Sequence, residues 1–409
     1  MFKNFAKSTF APGPQAGESR LPAWRWLFPL AALHAALMVP LSLLALYHGW
    51  AVVQLATPAA HAREMLFGFA LAVIAGYLLG PVPRRQLAVL VTLWLLGRVG
   101  VLTWPGAVVA SLADGAFALW VAGGLVPRFI AAKKWRNRLL SPLLGMICLL
   151  AVVTLTWRYL DDMPTTAPLM HQSVLWLVLL MTFMGGRVIV PAVNGYFTRE
   201  FAREFRQAGV GVQPRLEAAL IVLLGLAPFV MLLDLLRPLA ALLVLAAGPL
   251  VLTRIWHWRP LDCRERPDLQ VLMLGYAWLA IGLVLLARSW WAPQHASTAL
   301  HAFTVGALGS LASAIMLRHV ILRAKGRPER ERALLPLAGL FATAAVLRLW
   351  AIEAGTAWLL LLWASALAWS LGWLLVAWRL RVWIRRLPSP EISKLDSGQE
   401  RGELPRRWR

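Results

Sequence analysis

Charge is scarce in this sequence, and acid is scarcest. Of 409 residues only 15% are charged, with 19 Asp plus Glu against 41 Lys plus Arg. A soluble domain carries about a quarter charged residues, so a water-facing globule is excluded. Cysteine is nearly absent: Cys148 and Cys263 lie in different regions and imply neither a disulfide framework nor a thiolate metal site. A nucleophile–base arrangement, a phosphate-binding glycine loop and a nucleic-acid motif are also missing. Gly-rich pieces such as 121-VAGG-124 and 184-MGG-186 fall inside or at the end of apolar runs, where helix packing explains them. The net charge of +22 then reads as basic residues flanking membrane spans. The partner it implies is the lipid bilayer, and no nucleic acid.

What the sequence does have is apolar length. Apolar residues make up 59% of it, with 22 tryptophans, and runs long enough to cross about 30 Å of hydrocarbon recur. Apolar runs and breakers predict an all-α polytopic membrane protein with about twelve spans. They are roughly 27–47, 62–80, 87–104, 106–127, 139–157, 168–190, 214–235, 238–256, 268–288, 296–318, 333–352 and 356–379. Pro81, Pro83, Pro105, Pro164, Pro191, Pro293 and Pro388 fall at or just beyond span ends, where breakers belong. The first run is too long for a signal-peptide core and is followed by no small-residue cleavage site, so it reads as a permanent span. Residues 1–21 and 388–409 read as disordered tails on either side of one membrane domain, 22–387. With the N-terminus cytoplasmic, nearly all Lys and Arg fall in loops of one side, the pattern of cytoplasmic loops. Both termini are therefore expected in the cytoplasm. No internal repeat is visible.

The other side gathers His48, His61, His171, His295 and His301. His61 opens 61-HAREMLFGFALAVIAGYLLG-80, in which Glu64, Gly68, Ala72, Gly76 and Gly80 recur every four residues. On a regular helix they form one stripe, and small residues there let another helix approach closely. Glu64 heads the stripe with His61 on the same side, while Arg63 points about 100° away. Span 10 begins 301-HAFTVGALGSLASAIMLR-318, with His301 at similar depth. Two such histidines suit haem or copper, since neutral imidazole ligates both; two unrelated interfacial histidines fit the spacing as well. Arg98, Asp114, Arg348 and Glu353 lie in or end spans, where charge is costly and usually paired or functional. Arg98 and Arg348 could join Glu64 and Asp114 in a buried ion-pair network, or meet the propionates of a haem.

These residues resemble a family. The stretch 61-HAREMLFGFALAVIAGYLL-79 is similar to the NnrS signature, and 94-WLLGRVG-100, 184-MGGRVIVPAVNGYFTR-199 and 301-HAFTVGALGSLASAIMLR-318 agree in order and spacing. The likeness spans about residues 25–380. It implies a twelve-span protein of the bacterial inner membrane, linked to nitric oxide and nitrosative stress, carrying haem or copper. Carried onto this chain, His61 and His301 become the metal or haem ligands, with Glu64 and Arg98 as their partners and Arg348 balancing anionic groups. The chain departs from the signature at Arg63, where the family has a second histidine; arginine stays protonated and does not ligate. It departs again at 323-RAKGRP-328, where the family shows a histidine-bearing turn.

Three readings of function follow: a haem- or copper-bearing protein that limits nitric oxide damage, a twelve-span transporter of a small solute, and a family member without cofactor. No catalytic motif assigns an enzyme activity. A transporter should carry an inverted repeat and broken helices at mid-membrane, and neither is evident.

Overall fold

The computed structural model describes residues 19–49, 55–103, 108–157, 167–200, 213–291 and 295–387. The expectations for the two tails lie almost wholly outside these residues. The exception is β1 (Arg20–Pro22), which pairs antiparallel with β2 (Pro81–Pro83), Arg20 opposite Pro83. Where disorder was expected up to residue 21, backbone bonds from Ala23 N–H to Gly80 O (3.1 Å) and from Arg84 N–H to Ser19 O (3.2 Å) bracket the pair and fix the entry to the first helix.

The helices are α1 (Trp24–Tyr47), α2 (Pro58–Leu79), α3 (Arg84–Thr103), α4 (Val108–Ile130), α5 (Leu140–Trp157), α6 (Ala167–Glu200), α7 (Pro214–Val230), α8 (Arg237–His257), α9 (Pro267–Ser289), α10 (Ala296–Arg323), α11 (Leu334–Trp350) and α12 (Trp358–Arg385). Eleven are long and apolar enough to cross a membrane. The one that falls short is α7, with 17 residues. The run expected at 214–235 stops early because the chain turns after Val230 into the single 3-10 turn Asp234–Leu236. The expected all-α multi-pass architecture is present, with eleven long apolar helices rather than twelve.

Proline placement differs from the sequence reading at one marked position. Pro191 was expected to end span 6 near residue 190, yet α6 runs through it to Glu200. Pro29, Pro40, Pro127, Pro228 and Pro249 also lie within helices. Such prolines persist where neighbours satisfy the freed carbonyl. Pro40 shows how: it has no N–H for the carbonyl of Ala36, and Ser370 of α12 donates its hydroxyl there instead, at 2.7 Å. Beside it Trp369 donates to Ala35 O at 2.9 Å, tying the last long helix to the first.

One continuous apolar core runs through the bundle. Phe69 of α2, Phe341 of α11, and Trp369 and Trp373 of α12 form its aromatic centre, with Phe69 and Trp373 ring centroids 4.7 Å apart. Edge-to-face rings at this spacing add to the burial term. Gly309 and Gly372 lie against Phe341, where a methyl group would come within 2.9 Å of its ring.

Candidate functional site

Both helices that carry the candidate histidines depart from regular α geometry soon after them, three residues on from His61 and at the next residue from His301. In α2 the α-helical turn Pro58–Arg63 passes into a π-helical segment, Glu64–Ala70, and then into Leu71–Leu79. In α10 the turn Ala296–His301 passes into a π segment, Ala302–Ala307, and then into Leu308–Arg323. Thr57 caps α2, its hydroxyl accepting from Ala60 N–H at 3.1 Å. A π segment leaves carbonyls off the regular ladder, and such segments gather at functional sites. Two carbonyls of the first are met by side chains. His34 of α1 donates Nε2–H to Glu64 O at 3.1 Å, since a carbonyl only accepts, and Trp94 of α3 donates to Gly68 O at 2.8 Å.

The π segment revises the stripe read at four-residue spacing. Gly68 faces Arg98 and His34, where a Cβ would fall 2.4 and 2.6 Å from their nitrogens, whereas Gly76 faces Phe28. Glu64 is fully buried and accepts from Arg98, which also donates to Asp114 of α4. Gly97 leaves the room that the Asp114 carboxylate fills. The motif 94-WLLGRVG-100 is thus accounted for side chain by side chain: Trp94 holds the π segment, Gly97 admits Asp114, and Arg98 joins the two acids. The expected network of Glu64, Arg98 and Asp114 exists, with two corrections. Arg348 is not part of it. Arg63 does not point away from Glu64, since its Nε lies 3.7 Å from Oε1; both backbones are α-helical, and the long arginine side chain spans the angle between them. The imidazole beside Glu64 is that of His34, at 3.5 Å. His34 is not among the candidates read from the sequence; a lone histidine in the apolar run of span 1 was its signal.

His61, His301 and Arg348 form a separate group. His61 and Arg348 both act electrostatically on His301, and Arg348 acts on His61. Spans 2 and 10 touch each other further along their length. All three side chains are half-buried. His301 Nδ1 lies 2.6 Å from Ser297 O, so Nδ1 carries the proton and the Nε2 lone pair is left outward. A metal-ligating imidazole is commonly fixed in this way, by a bond from its other nitrogen to a carbonyl. Among the described residues no hydrogen bond or ion pair engages the Arg348 guanidinium. Nor do three or more His, Cys, Asp or Glu gather closely enough to hold a metal ion among them. Glu353 belongs to neither group: its carboxylate lies 3.7 Å from His295.

Polar clusters also pin helices far along the chain from these groups. Arg254 of α8 donates to Tyr276 Oη (2.9 Å) and Thr182 O (3.1 Å) and lies 3.7 Å from Glu217. The pair Gly185–Gly186 makes the space, Gly185 for the Tyr276 ring and Gly186 for the Arg254 guanidinium. The glycines of 184-MGG-186 serve packing there, as expected, whereas Gly195 has nothing within 4 Å. Asp268 binds Arg266 and Arg318 together.

A family model described as NnrS protein matches residues 21–387. No curated protein matches the chain.

Proposed function

The chain belongs to the NnrS family, and on that premise we propose that it binds a haem or copper cofactor through His61 and His301 and acts in the response to nitric oxide in the bacterial inner membrane. The observation that carries the reading is the pair of imidazoles, each in the short α-helical turn that leads into a π segment, with Arg348 acting electrostatically on both. Nδ1–H of His301 is committed to Ser297 O, which turns Nε2 toward a ligand. The donor set is two imidazoles, with no thiolate and no third protein ligand among the described residues. Two imidazoles would hold a haem more readily than a copper centre that needs three donors.

Arg348 sharpens the choice. A guanidinium without an acidic partner among the described residues would repel a bare copper ion and attract a group that brings negative charge, such as a propionate. A haem would supply a redox-active iron. The chain's own residues would hold and orient it: His61 and His301 from two helices, Arg348 at its anionic edge. Glu64 and Arg98 act one step back. Their ion pair, with Asp114 and His34, fixes the π segment that follows His61 and so the direction in which that imidazole points. Both termini lie in the cytoplasm in this reading, since the basic loops share one side.

The test is made in a bacterium lacking the gene. Wild-type protein should restore growth under a nitric oxide donor, whereas His61→Ala and His301→Ala at equal membrane abundance should not. Equal protection by both variants would contradict the reading.

A further inference from the structure

An apolar space lies between α2, α6, α9 and α10, and nothing in the imidazole group accounts for it. Its volume is about 90 Å³. No charged residue lines it, and Tyr77 is the one lining side chain with a hydrogen-bonding group. It is lined by Ala70, the last residue of the first π segment, and by Leu308, the first after the second. Leu180 and Ala312 wall it, both buried, and the thioethers of Met181 and Met184 add polarizable surface. The half-buried rim of Leu78, Val188 and Ile315 is apolar and lies within membrane-spanning segments.

We propose that this space is a binding chamber for a neutral, apolar molecule of a few heavy atoms that enters from the bilayer. Three features argue for that class. An apolar cavity without hydrogen-bonding partners stays dry, because a buried water needs two to four polar contacts. The volume is below the ~150 Å³ that holds benzene in an engineered protein cavity, which limits the occupant to something smaller. Apart from Tyr77 the half-buried lining is apolar and lies within membrane-spanning segments, where apolar solutes are concentrated relative to water. The position matters too. An occupant would touch the inner ends of both π segments while remaining apart from the ion pairs. The proposal does not depend on His61 and His301 holding a cofactor.

The test uses xenon as the probe on the full-length protein, by anomalous diffraction from pressurised crystals and by xenon NMR in lipid nanodiscs. Xenon should occupy the space between Ala70, Leu180 and Ala312. Ala312→Leu should reduce its occupancy at least tenfold, and Leu180→Ala, which enlarges the chamber, should retain or raise it. Because Ala312→Leu could disturb folding, Ala70→Val is tested beside it, with monodispersity and thermal unfolding as controls. Ordered water or a lipid acyl chain in the space, no xenon there, or equal xenon binding by folded wild-type and Ala312→Leu proteins would each overturn the proposal.

Discussion

Arg98 of α3 donates to Glu64 of α2 in the interior of the bundle, with 5% of the arginine and none of the glutamate exposed. The same guanidinium holds Asp114, so one cation fastens three helices. Removing one member of a buried ion pair strands the others, at a cost of about 3–5 kcal/mol. Arg98→Ala should therefore lower the unfolding temperature in detergent strongly, measured by tryptophan fluorescence. Glu64→Gln, which keeps shape and one acceptor, should cost less. A loss below about 1 kcal/mol in Arg98→Ala would show that the network carries little of the fold.

The glycines around that network differ in their tolerance. Ala at Gly97 would place its Cβ 2.1 Å from Asp114 Oδ1, and Ala at Gly68 would place it 2.4 Å from Arg98. Gly339, on an exposed face of α11, has nothing within 4 Å. Gly97→Ala and Gly68→Ala should destabilise the protein. Gly339→Ala should be neutral or stabilise it by up to about 1 kcal/mol, the helix-propensity gain. Thermal melts of the three variants check the order.

Much of this was legible in the sequence, and the parts that were not share a cause. The spans and the pairing of Arg98 with Glu64 and Asp114 follow from apolar length and the cost of charge in hydrocarbon. Four-residue spacing put Glu64 and Gly68 on one side, and both meet Arg98 and His34, but no periodicity reports the π segment that runs from Glu64 to Ala70, nor that the long Arg63 side chain reaches back to Glu64. Pro191 misled for a related reason. A proline reads as a stop when the carbonyl it strands must find water, yet in this bundle Ser370 shows a hydroxyl taking that role for Pro40. The approach of His61, His301 and Arg348 joins residues from α2, α10 and α11, which spacing within any one helix does not encode.

Acid should weaken the join between α12 and the loop before α11. Glu331 accepts from Arg379 and Trp383, each at 2.6 Å, and from Ala333 N–H at 3.1 Å. Burial alone would raise its pKa, but these bonds together hold the carboxyl below its ordinary value. A depressed folded value stabilises the protein fully above the ordinary carboxylate range, and that stabilisation is lost as pH falls through the folded value. Glu331→Gln should lower the melting temperature at pH 7 and flatten its decline toward acid. Parallel curves for variant and wild type from about pH 5 down to about pH 2, the range below the ordinary carboxylate value, would contradict this.

Neither cysteine should react in the folded protein. Cys148 and Cys263 are both buried, and burial pushes the Cys263 thiol, which lies between α8 and α9, up to about 11. The thiolate is the reacting species, so maleimide at neutral pH should label either cysteine roughly a hundredfold more slowly than an exposed thiol. Labelling should become complete in dodecyl sulfate. Fast labelling of the native protein would contradict the packing around α8 and α9.

The most direct test of the central claim is the absorption spectrum and metal content of detergent-purified protein from haem-replete cells, with His61→Ala, His301→Ala and Arg348→Ala alongside. The account predicts a Soret band near one haem per chain, lost in each histidine variant and weakened or shifted in Arg348→Ala, with the thermal melts unchanged. A colourless, copper-free wild-type protein, or a band that survives in both histidine variants, would contradict it.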